Sequence, residues 1–332
     1  MRSLYAERVR PRHAVIGALA LGSTLSVTAL AIAQGPPASS DWRLAPPPAP
    51  SVLDERVRFG QPVVLRGRLG AEAAGAQLAV QASSPGRRWH IIATTPVRTD
   101  GTYRVAVRLR TSSVLRVAPY AAHDETGQVV GGAVATLSSE ERPSAPRRVK
   151  VAARVVTSHR DRDVTAGTPF HVRGTVLPRS SGRRIVVEAG TNGKWHPVAR
   201  TRTRAHGHFD TRVVASQLGT SRLRVRFAGD RRNVSARVGA GTLQAFRPAL
   251  ASWYALYGNR TACGQTLGYE TLGVANKSLP CGTMVTLRYQ GREITVPVID
   301  RGPYVGGREW DLTGATARAL GFSGAGVVWS TR

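Results

Sequence analysis

Residues 249–332 contain five carboxylates, and two of them are placed for acid–base chemistry. Asp300 ends the apolar segment 294–299, where a strand can present a side chain at a rim. Asp311 lies eleven residues further on, beyond a Gly-Pro turn, and a turn of that length can bring both carboxylates to one face. Glycosidic bond cleavage needs a carboxylic acid with a raised pKa to protonate the leaving oxygen. One well-placed acid can supply that proton, and Asp300 is the candidate general acid.

Aromatic side chains in the same segment are candidates for contact with sugar rings, whose apolar faces suit such contact. These are Tyr254, Tyr304 and Trp310. A purely structural interpretation stays open, in which the aromatics belong to the core and Asp300 only fixes the turn that begins with Arg301. Asp311 would then only support the entrance to a helix, predicted at 315–320 with Thr313 as N-cap and Gly321 as its C-terminal stop.

The two cysteines, Cys263 and Cys281, both lie in this C-terminal segment. In an oxidising compartment an isolated pair is most simply a disulfide. The alternative, half of a metal site, needs two further ligands, and no histidine follows His208. No zinc spacing or phosphate-binding loop is present either, so we predict no metal and no cofactor.

The N-terminus is typical of an export signal. A basic stretch precedes an apolar run that ends in Ala31-Ile32-Ala33, a small-x-small cleavage pattern. We therefore predict a signal peptide over residues 1–33 and a secreted or cell-wall-associated protein. The run is near twenty residues, so an uncleaved membrane anchor remains the alternative, and this segment is the one expected membrane contact.

The net charge of +27 is carried almost entirely by arginine, since three of the 47 basic residues are lysine. Nucleic acid is the usual partner for such a charge, but an exported protein rarely meets it, so we expect no nucleic-acid partner. Anionic wall polymers are the candidates that would hold a cationic protein. The simpler alternative is that arginine solvates the outward faces of strands.

Proline-rich marks divide the chain. A Pro/Ala-rich linker is predicted at 34–50, a first β-sandwich at 51–139, a linker at 140–148, a second sandwich at 149–246 and a C-terminal domain at 249–332, after a break at Arg247-Pro248. The two middle blocks are copies of one another. Gly60-Gln-Pro-Val-Val-Leu-Arg-Gly67 returns as Gly167-Thr-Pro-Phe-His-Val-Arg-Gly174, an offset of 107.

Each copy alternates apolar and polar residues with period two between Gly, Asp and Pro turns, which predicts antiparallel β-sandwiches resembling bacterial immunoglobulin-like modules. Trp89 and its counterpart Trp195 are expected to anchor the two cores, with the arginines pointing outward. His206-x-His208 lies at a hairpin turn, where we favour a turn over half of a metal site.

The C-terminal segment resembles the double-psi β-barrel of the rare-lipoprotein-A family and, more distantly, the first domain of expansins. The motifs that carry the resemblance occur in family order over about a quarter of the chain; they are ASWY, TACG, ANKSLPCGT, VIDRGPY and WDLTGATARALG. The resemblance implies a six-stranded barrel with a groove across one face. Members act on or bind cell-wall polysaccharide; some cleave peptidoglycan strands as lytic transglycosylases, whereas expansins loosen walls without hydrolysis.

By this resemblance Asp300 matches the family's functional aspartate, Asp311 the second acidic position shared with expansins, and Thr261 a polar groove residue. Arg301 is included among the substrate-binding candidates. Cleaving members carry a histidine where this chain has Asn276, which is retained as an assisting residue although it cannot titrate.

Two function classes follow. The first is a lytic-transglycosylase-like enzyme acting on peptidoglycan. The second is a non-catalytic module that binds or loosens peptidoglycan or another wall polysaccharide, with a wall-adhesion scaffold as a weaker variant. The fold class predicted is all-β: two tandem immunoglobulin-like sandwiches followed by a six-stranded double-psi β-barrel with a short helix.

Overall fold

A computed structural model describes residues 45–120 and 142–332. The predicted signal peptide, most of the predicted first linker, and residues 121–141, which span the end of the predicted first sandwich and the start of the next linker, therefore lie outside the described residues. Within the described ranges, no helix has the length and apolarity that crossing a bilayer requires.

The first β-sandwich packs a three-stranded sheet, in the order β1-β3-β6, against a five-stranded sheet, in the order β2-β8-β7-β4-β5. Its core lies between the sheets and contains Leu65, Leu78 and Leu115, all fully buried. The strands are β1 (Ser51–Val52), β2 (Arg56–Arg58), β3 (Pro62–Arg68), β4 (Gln77–Ser83), β5 (His90–Pro96), β6 (Thr102–Arg108), β7 (Ser113–Tyr120) and β8 (Arg147–Ala152).

The second sandwich repeats this arrangement. Its three-stranded sheet has the order β9-β11-β14, and its other sheet runs β10-β16-β15-β12-β13. Both sandwiches thus share one strand order, as the internal repeat predicts. The strands are β9 (Arg154–Thr157), β10 (Arg162–Thr165), β11 (Pro169–Leu177), β12 (Arg184–Thr191), β13 (Lys194–Arg202), β14 (His208–Val214), β15 (Gly219–Phe227) and the first half of β16 (Ala236–Tyr254).

The predicted tryptophan anchors are wrong. Trp89 is 37% exposed, and neither tryptophan belongs to a core cluster. Instead the guanidinium of Arg116 lies 4.1 Å from the Trp89 ring, and that of Arg224 lies 3.9 Å from the Trp195 ring. Both indoles therefore stack under arginines on the outer face, where a cation–π contact replaces burial.

Two of the predicted boundaries differ from the structure. Arg147–Ala152, whose first two residues are predicted as linker and whose last four are predicted to begin the second sandwich, is instead the last strand of the first sandwich and pairs with β7 and β2. Val149 and Val151 are fully buried and give this strand its alternation of apolar and polar residues. The pattern is hard to recognise in the sequence because the residues next to them are charged. The break expected at Arg247-Pro248 falls inside β16. At Pro248 this strand pairs with a neighbour on one side only, with β21, so a proline without an N–H group is tolerated there.

The C-terminal domain is a closed six-stranded barrel. Its strands follow the order β16-β20-β17-β19-β18-β21, and β21 pairs back with β16. Its further elements are β17 (Val274–Ala275), β18 (Met284–Tyr289), β19 (Arg292–Asp300), β20 (Trp310–Thr313), α1 (Gly314–Leu320) and β21 (Gly326–Ser330). The Thr313 hydroxyl accepts the Thr316 N–H at the start of α1, and Gly321 ends it in a left-handed conformation, as predicted.

Candidate functional site

Four residues form one row across neighbouring strands of the barrel. Ala275 of β17 pairs with Asp300 of β19 on one side and with Asp311 of β20 on the other. Asp311 in turn pairs with Ser252 of β16. Two strand spacings separate the backbones of the two aspartates, about 10 Å. Ala275, which is 3% exposed, lies between them, so the row places the two carboxylates in one site.

A β-bulge sets Asp300 into this row. Val274 pairs with Val298, but the next residue, Ala275, pairs with Asp300 and skips Ile299. A bulge inserts one extra residue and redirects the side chain that follows it. Without it Ile299 would face Ala275, and Asp300 would fall outside the row that contains Asp311.

Backbone amides orient the Asp300 carboxylate. The N–H groups of Ala262 and Arg301 both donate to its Oδ1, each at 2.8 Å. Since both bonds go to one oxygen, Oδ2 is the atom available to a ligand. The two donors come from the TACG loop and from the turn after β19, so both segments are required to hold this carboxylate.

Asp311 is half-buried and titrates differently from an exposed carboxyl. Burial raises its pKa, and the negative charge of Asp300 raises it further. The Ser252 hydroxyl, which donates to Oδ1 at 2.9 Å, and the charge of Arg308 offset part of this effect. Asp311 therefore retains its proton at a higher pH than an ordinary aspartate.

Two buried hydroxyls beside the aspartates lack hydrogen-bond partners. They are Tyr254 Oη and Thr261 Oγ1. Burial raises the pKa of Tyr254, and the nearby charges of Asp300 and Asp311 raise it further, so the phenol stays protonated. The phenol lies close to Asp300 but not in the geometry of a formed hydrogen bond. Unpaired buried hydroxyls are costly, and a polar ligand entering the site can satisfy them.

Asn276 occupies a supporting position. Its side chain is buried; Oδ1 accepts the N–H groups of Ser278 and Leu279, at 3.1 and 2.9 Å, and Nδ2 donates to the Glu309 carbonyl at 3.3 Å. Every polar atom of the amide is thus engaged with backbone. Asn276 therefore shapes the loop after β17, and its assisting role in catalysis stays a prediction.

The loop that contains Asn276 is also held covalently and by Arg301. Cys263 and Cys281 form a disulfide with a Cα–Cα distance of 5.8 Å. The Arg301 guanidinium donates to the Asn276 carbonyl at 3.3 Å and lies 3.4 Å from Cys281 Sγ. Arg301 therefore braces the loop from beneath the site, and its guanidinium is already committed to protein atoms.

The aromatic candidates separate into different environments. Trp310 has no exposed surface and belongs to the barrel core, so its prediction as a sugar contact is wrong. Tyr304 is 82% exposed on the turn after Asp300 and is free to contact a ligand. Sequence reasoning missed Ser252, although its place two residues before Tyr254 on a strand puts both side chains on one face.

Within the described residues no group of histidine, cysteine, aspartate or glutamate side chains is arranged to hold a metal ion.

Fold and site together define a double-psi β-barrel domain with an acidic row across one face. Residues 249–329 match the family model described as "Lytic transglycolase". Relatives named as probable endolytic peptidoglycan transglycosylase RlpA are 39% identical over 92 residues in Synechocystis sp. and 40% identical over 82 residues in Aquifex aeolicus. The endolytic peptidoglycan transglycosylase RlpA of Pasteurella multocida is 41% identical over 86 residues. Residues 249–329 are therefore an RlpA-like double-psi β-barrel domain.

These similarities are confined to one domain. The matches cover 26%, 24% and 24% of this chain, and the chain spans 29%, 36% and 29% of the respective relatives. The D0-D1 domain of intimin covers 57% of this chain and 98% of its own at 8% identity, but its TM-score of 0.20 carries no argument about the sandwiches. Their description rests on strand order alone.

Proposed function

We propose that this protein binds peptidoglycan glycan strands in the groove over the Asp300–Asp311 row and cleaves them by lytic transglycosylation. The observation that carries the proposal is the row itself, in which two carboxylates in different environments flank Ala275. The RlpA relatives, whose names state endolytic peptidoglycan transglycosylase activity, support the substrate class.

The environments of the two carboxyls suggest a division of roles. A general acid needs a raised pKa, and burial gives this property to Asp311. We assign Asp311 as the acid and Asp300 as the base, whereas the sequence leads to the expectation that Asp300 is the acid and Asp311 assists. The Asp311 proton moves to the leaving glycosidic oxygen as the C1–O bond breaks. The sugar's own hydroxyl oxygen then bonds to C1 and gives its proton to Asp300 Oδ2.

The remaining polar groups would orient the glycan. Tyr254 and Thr261 offer unpaired buried hydroxyls, and Ser252 keeps Asp311 Oδ1 facing the row. The exposed ring of Tyr304 can lie against an apolar sugar face at the rim. An oriented substrate is required because lytic attack is intramolecular and depends on alignment of the hydroxyl with C1.

The test is incubation of the purified protein with peptidoglycan sacculi, followed by mass spectrometry of the soluble products. Wild type is expected to release products with anhydro sugar ends, and Asp311→Asn and Asp300→Asn are each expected to lose at least about a hundredfold in rate. Glu293→Gln is the matched control, because Glu293 lies near the other end of the same strand, about 23 Å from Asp300.

The outcomes separate the assignments. Loss with both aspartate variants but not with Glu293→Gln supports the pair. Loss with Asp300→Asn alone would return the acid role to Asp300, and products from all variants would exclude the row as the catalytic site.

The second candidate function is glycan binding without cleavage. It is favoured by Asn276, whose amide is committed to backbone and which adds no titratable group beside the aspartates. In that case the protein co-sediments with sacculi, Thr261→Val and Tyr304→Ala weaken the co-sedimentation, and no anhydro products form with wild type.

A further inference from the structure

The junction between the two sandwiches encloses a cavity of about 610 Å³. The first sandwich contributes the loop after β4 and the end of β6, and the second contributes the loop after β11 and the loop before β16. Arginines from both sandwiches line it: Arg87, Arg108, Arg110, Arg179, Arg183 and Arg232. The cavity is therefore cationic on both walls.

A buried polar contact fixes the two walls relative to one another. Asn233 is 1% exposed, and its Nδ2 donates to the carbonyls of Arg110 at 3.0 Å and Val151 at 3.3 Å. The Ser112 N–H donates to the Arg232 carbonyl at 2.6 Å. Because these bonds cross the junction next to the cavity, the backbone segments that bear the arginines are held relative to one another.

Positive charge exceeds negative charge in the cavity. Asp230 is the one carboxylate among its lining residues, and it already accepts from Arg183 Nε at 2.8 Å and from the N–H groups of Arg232 and Asn233. The Arg183 side chain is almost fully buried and serves this contact. Within residues 45–120 and 142–332 the other five arginines form no ion pair.

We propose that this cavity binds a phosphodiester segment of an anionic wall polymer. Guanidinium forks match phosphate oxygens in a two-pronged geometry, and five of them exceed what a single phosphate can use. The volume lies within the range of ligand sites, roughly 300–1,000 Å³. Ser84, Thr111 and Ser113 add hydroxyls to the lining. They bond one another, with Ser84 Oγ 2.8 Å from Ser113 Oγ and 3.1 Å from Thr111 Oγ1, and their remaining lone pairs can accept from a polyol or sugar between phosphates.

The lining argues against a nucleic acid. It includes no phenylalanine, tyrosine or tryptophan, so the large aromatic rings that usually stack on successive bases are missing, and His90 carries the one aromatic ring in the lining. A polymer with a hydrophilic repeating unit needs no such rings. The arginine rows on both walls fit a flexible chain whose charges recur along its length.

This site is separate from the barrel groove. Strand β16 leads away from the junction, and its eleven residues before Arg247 span about 36 Å. The protein would hold an anionic polymer at one end while the barrel holds glycan at the other. The proposal depends on the expected wall location but not on catalysis, so failure of the sacculus cleavage assay leaves it intact.

The test is isothermal titration calorimetry of the purified full chain with a synthetic glycerol-phosphate oligomer of about ten repeats. The variant Arg108→Gln/Arg110→Gln/Arg232→Gln removes exposed cavity charges and leaves the structural Arg183 in place. The matched control is Arg66→Gln/Arg104→Gln/Arg212→Gln, which removes the same charge from the same two sandwiches, with Arg104 on the same strand as Arg108.

We expect the cavity variant to lose about tenfold or more in affinity and the control less than about threefold. Thermal unfolding midpoints check that each variant is folded. If the cavity variant is unstable, Arg108→Lys/Arg110→Lys/Arg232→Lys replaces it. This variant keeps the positive charge but lacks the forked guanidinium groups, so it should bind the oligomer at least about threefold more weakly than wild type.

Equal losses in the cavity and control variants would show binding by diffuse charge and overturn the proposal, as would undetectable binding by wild type. Single-stranded DNA of matched length and phosphatidylglycerol vesicles are the competing ligands. If either binds as tightly as the oligomer, with the same dependence on the cavity arginines, the assignment to a wall polymer is overturned. Wild-type affinity in the lysine variant would overturn recognition by the forks.

Discussion

Replacement of Thr261 by valine separates ligand binding from stability. Thr261 is 6% exposed, and its Oγ1 is buried without a partner, so the free protein bears the desolvation cost of that hydroxyl. Valine has nearly the same shape and removes the hydroxyl. We expect Thr261→Val to leave the free energy of unfolding of the barrel unchanged or to raise it by about 1–2 kcal/mol.

The same substitution at Thr313 should have the opposite effect. Thr313 is fully buried, and its hydroxyl accepts the Thr316 N–H as the N-cap of α1 and donates to Thr316 Oγ1 at 3.0 Å. Thr313→Val should lower the free energy of unfolding by about 1–2 kcal/mol, because it leaves a helix N–H group unsatisfied. The pair is matched in chemistry, burial and domain.

Hydrogen exchange measured by mass spectrometry on barrel peptides reports the opening free energy of this domain within the full chain. Sacculus cleavage or co-sedimentation by the same samples reports function. Thr261→Val should lose about tenfold in glycan affinity or rate, since one hydrogen bond to the ligand is lost. A drop in barrel stability equal to that of Thr313→Val would refute the reasoning, since it would mean that the Thr261 hydroxyl is paired in the free protein.

Three further predictions concern the same domain. Replacing both Cys263 and Cys281 by serine should lower the free energy of unfolding of the barrel by about 3 kcal/mol, the chain-entropy value for a closed loop of this length. Hydrogen exchange in residues 264–280 should become faster, and unchanged protection there would contradict the prediction. Burial raises the pKa of Asp311, so ionisation of this carboxyl opposes folding. The free energy of unfolding of wild type, relative to that of Asp311→Asn, should therefore be greatest at low pH and fall as the pH rises through the raised pKa. Denaturant titrations at pH 4 to 7 that show no such trend would exclude the shift. Trp310→Ala should destabilise the barrel by about 3–5 kcal/mol in the same titrations, whereas Tyr304→Ala should leave stability within about 0.5 kcal/mol and weaken only sacculus co-sedimentation.

Local signals in the sequence predicted much of the fold. The cap and stop of α1 could be read from Thr313 and Gly321, because capping depends on residues adjacent in sequence. Period-two alternation and the internal repeat predicted both sandwiches, since each signal lies within a single strand or recurs at a fixed offset.

Features that depend on pairing between distant segments could not be predicted. Nothing in residues 294–300 marks the bulge at Ile299, which exists only relative to Val274 and Ala275 of another strand. Arg147–Ala152 joins the first sandwich through partners far away in sequence. The sequence could not show whether Trp310 lies in the core or in the groove, because an aromatic residue next to a carboxylate occurs in either place.

Strand β16 has a mechanical consequence. One uninterrupted backbone from Ala236 to Tyr254 belongs to the second sandwich in its first half and to the barrel in its second half. Tension applied to a polymer held in the barrel would pass along β16 into the second sandwich. There it would act in shear on the hydrogen bonds between β16 and its neighbours β15 and β10, so that all of these bonds bear the load at the same time. A flexible linker would extend under the same load, whereas this strand transmits it at once to both domains.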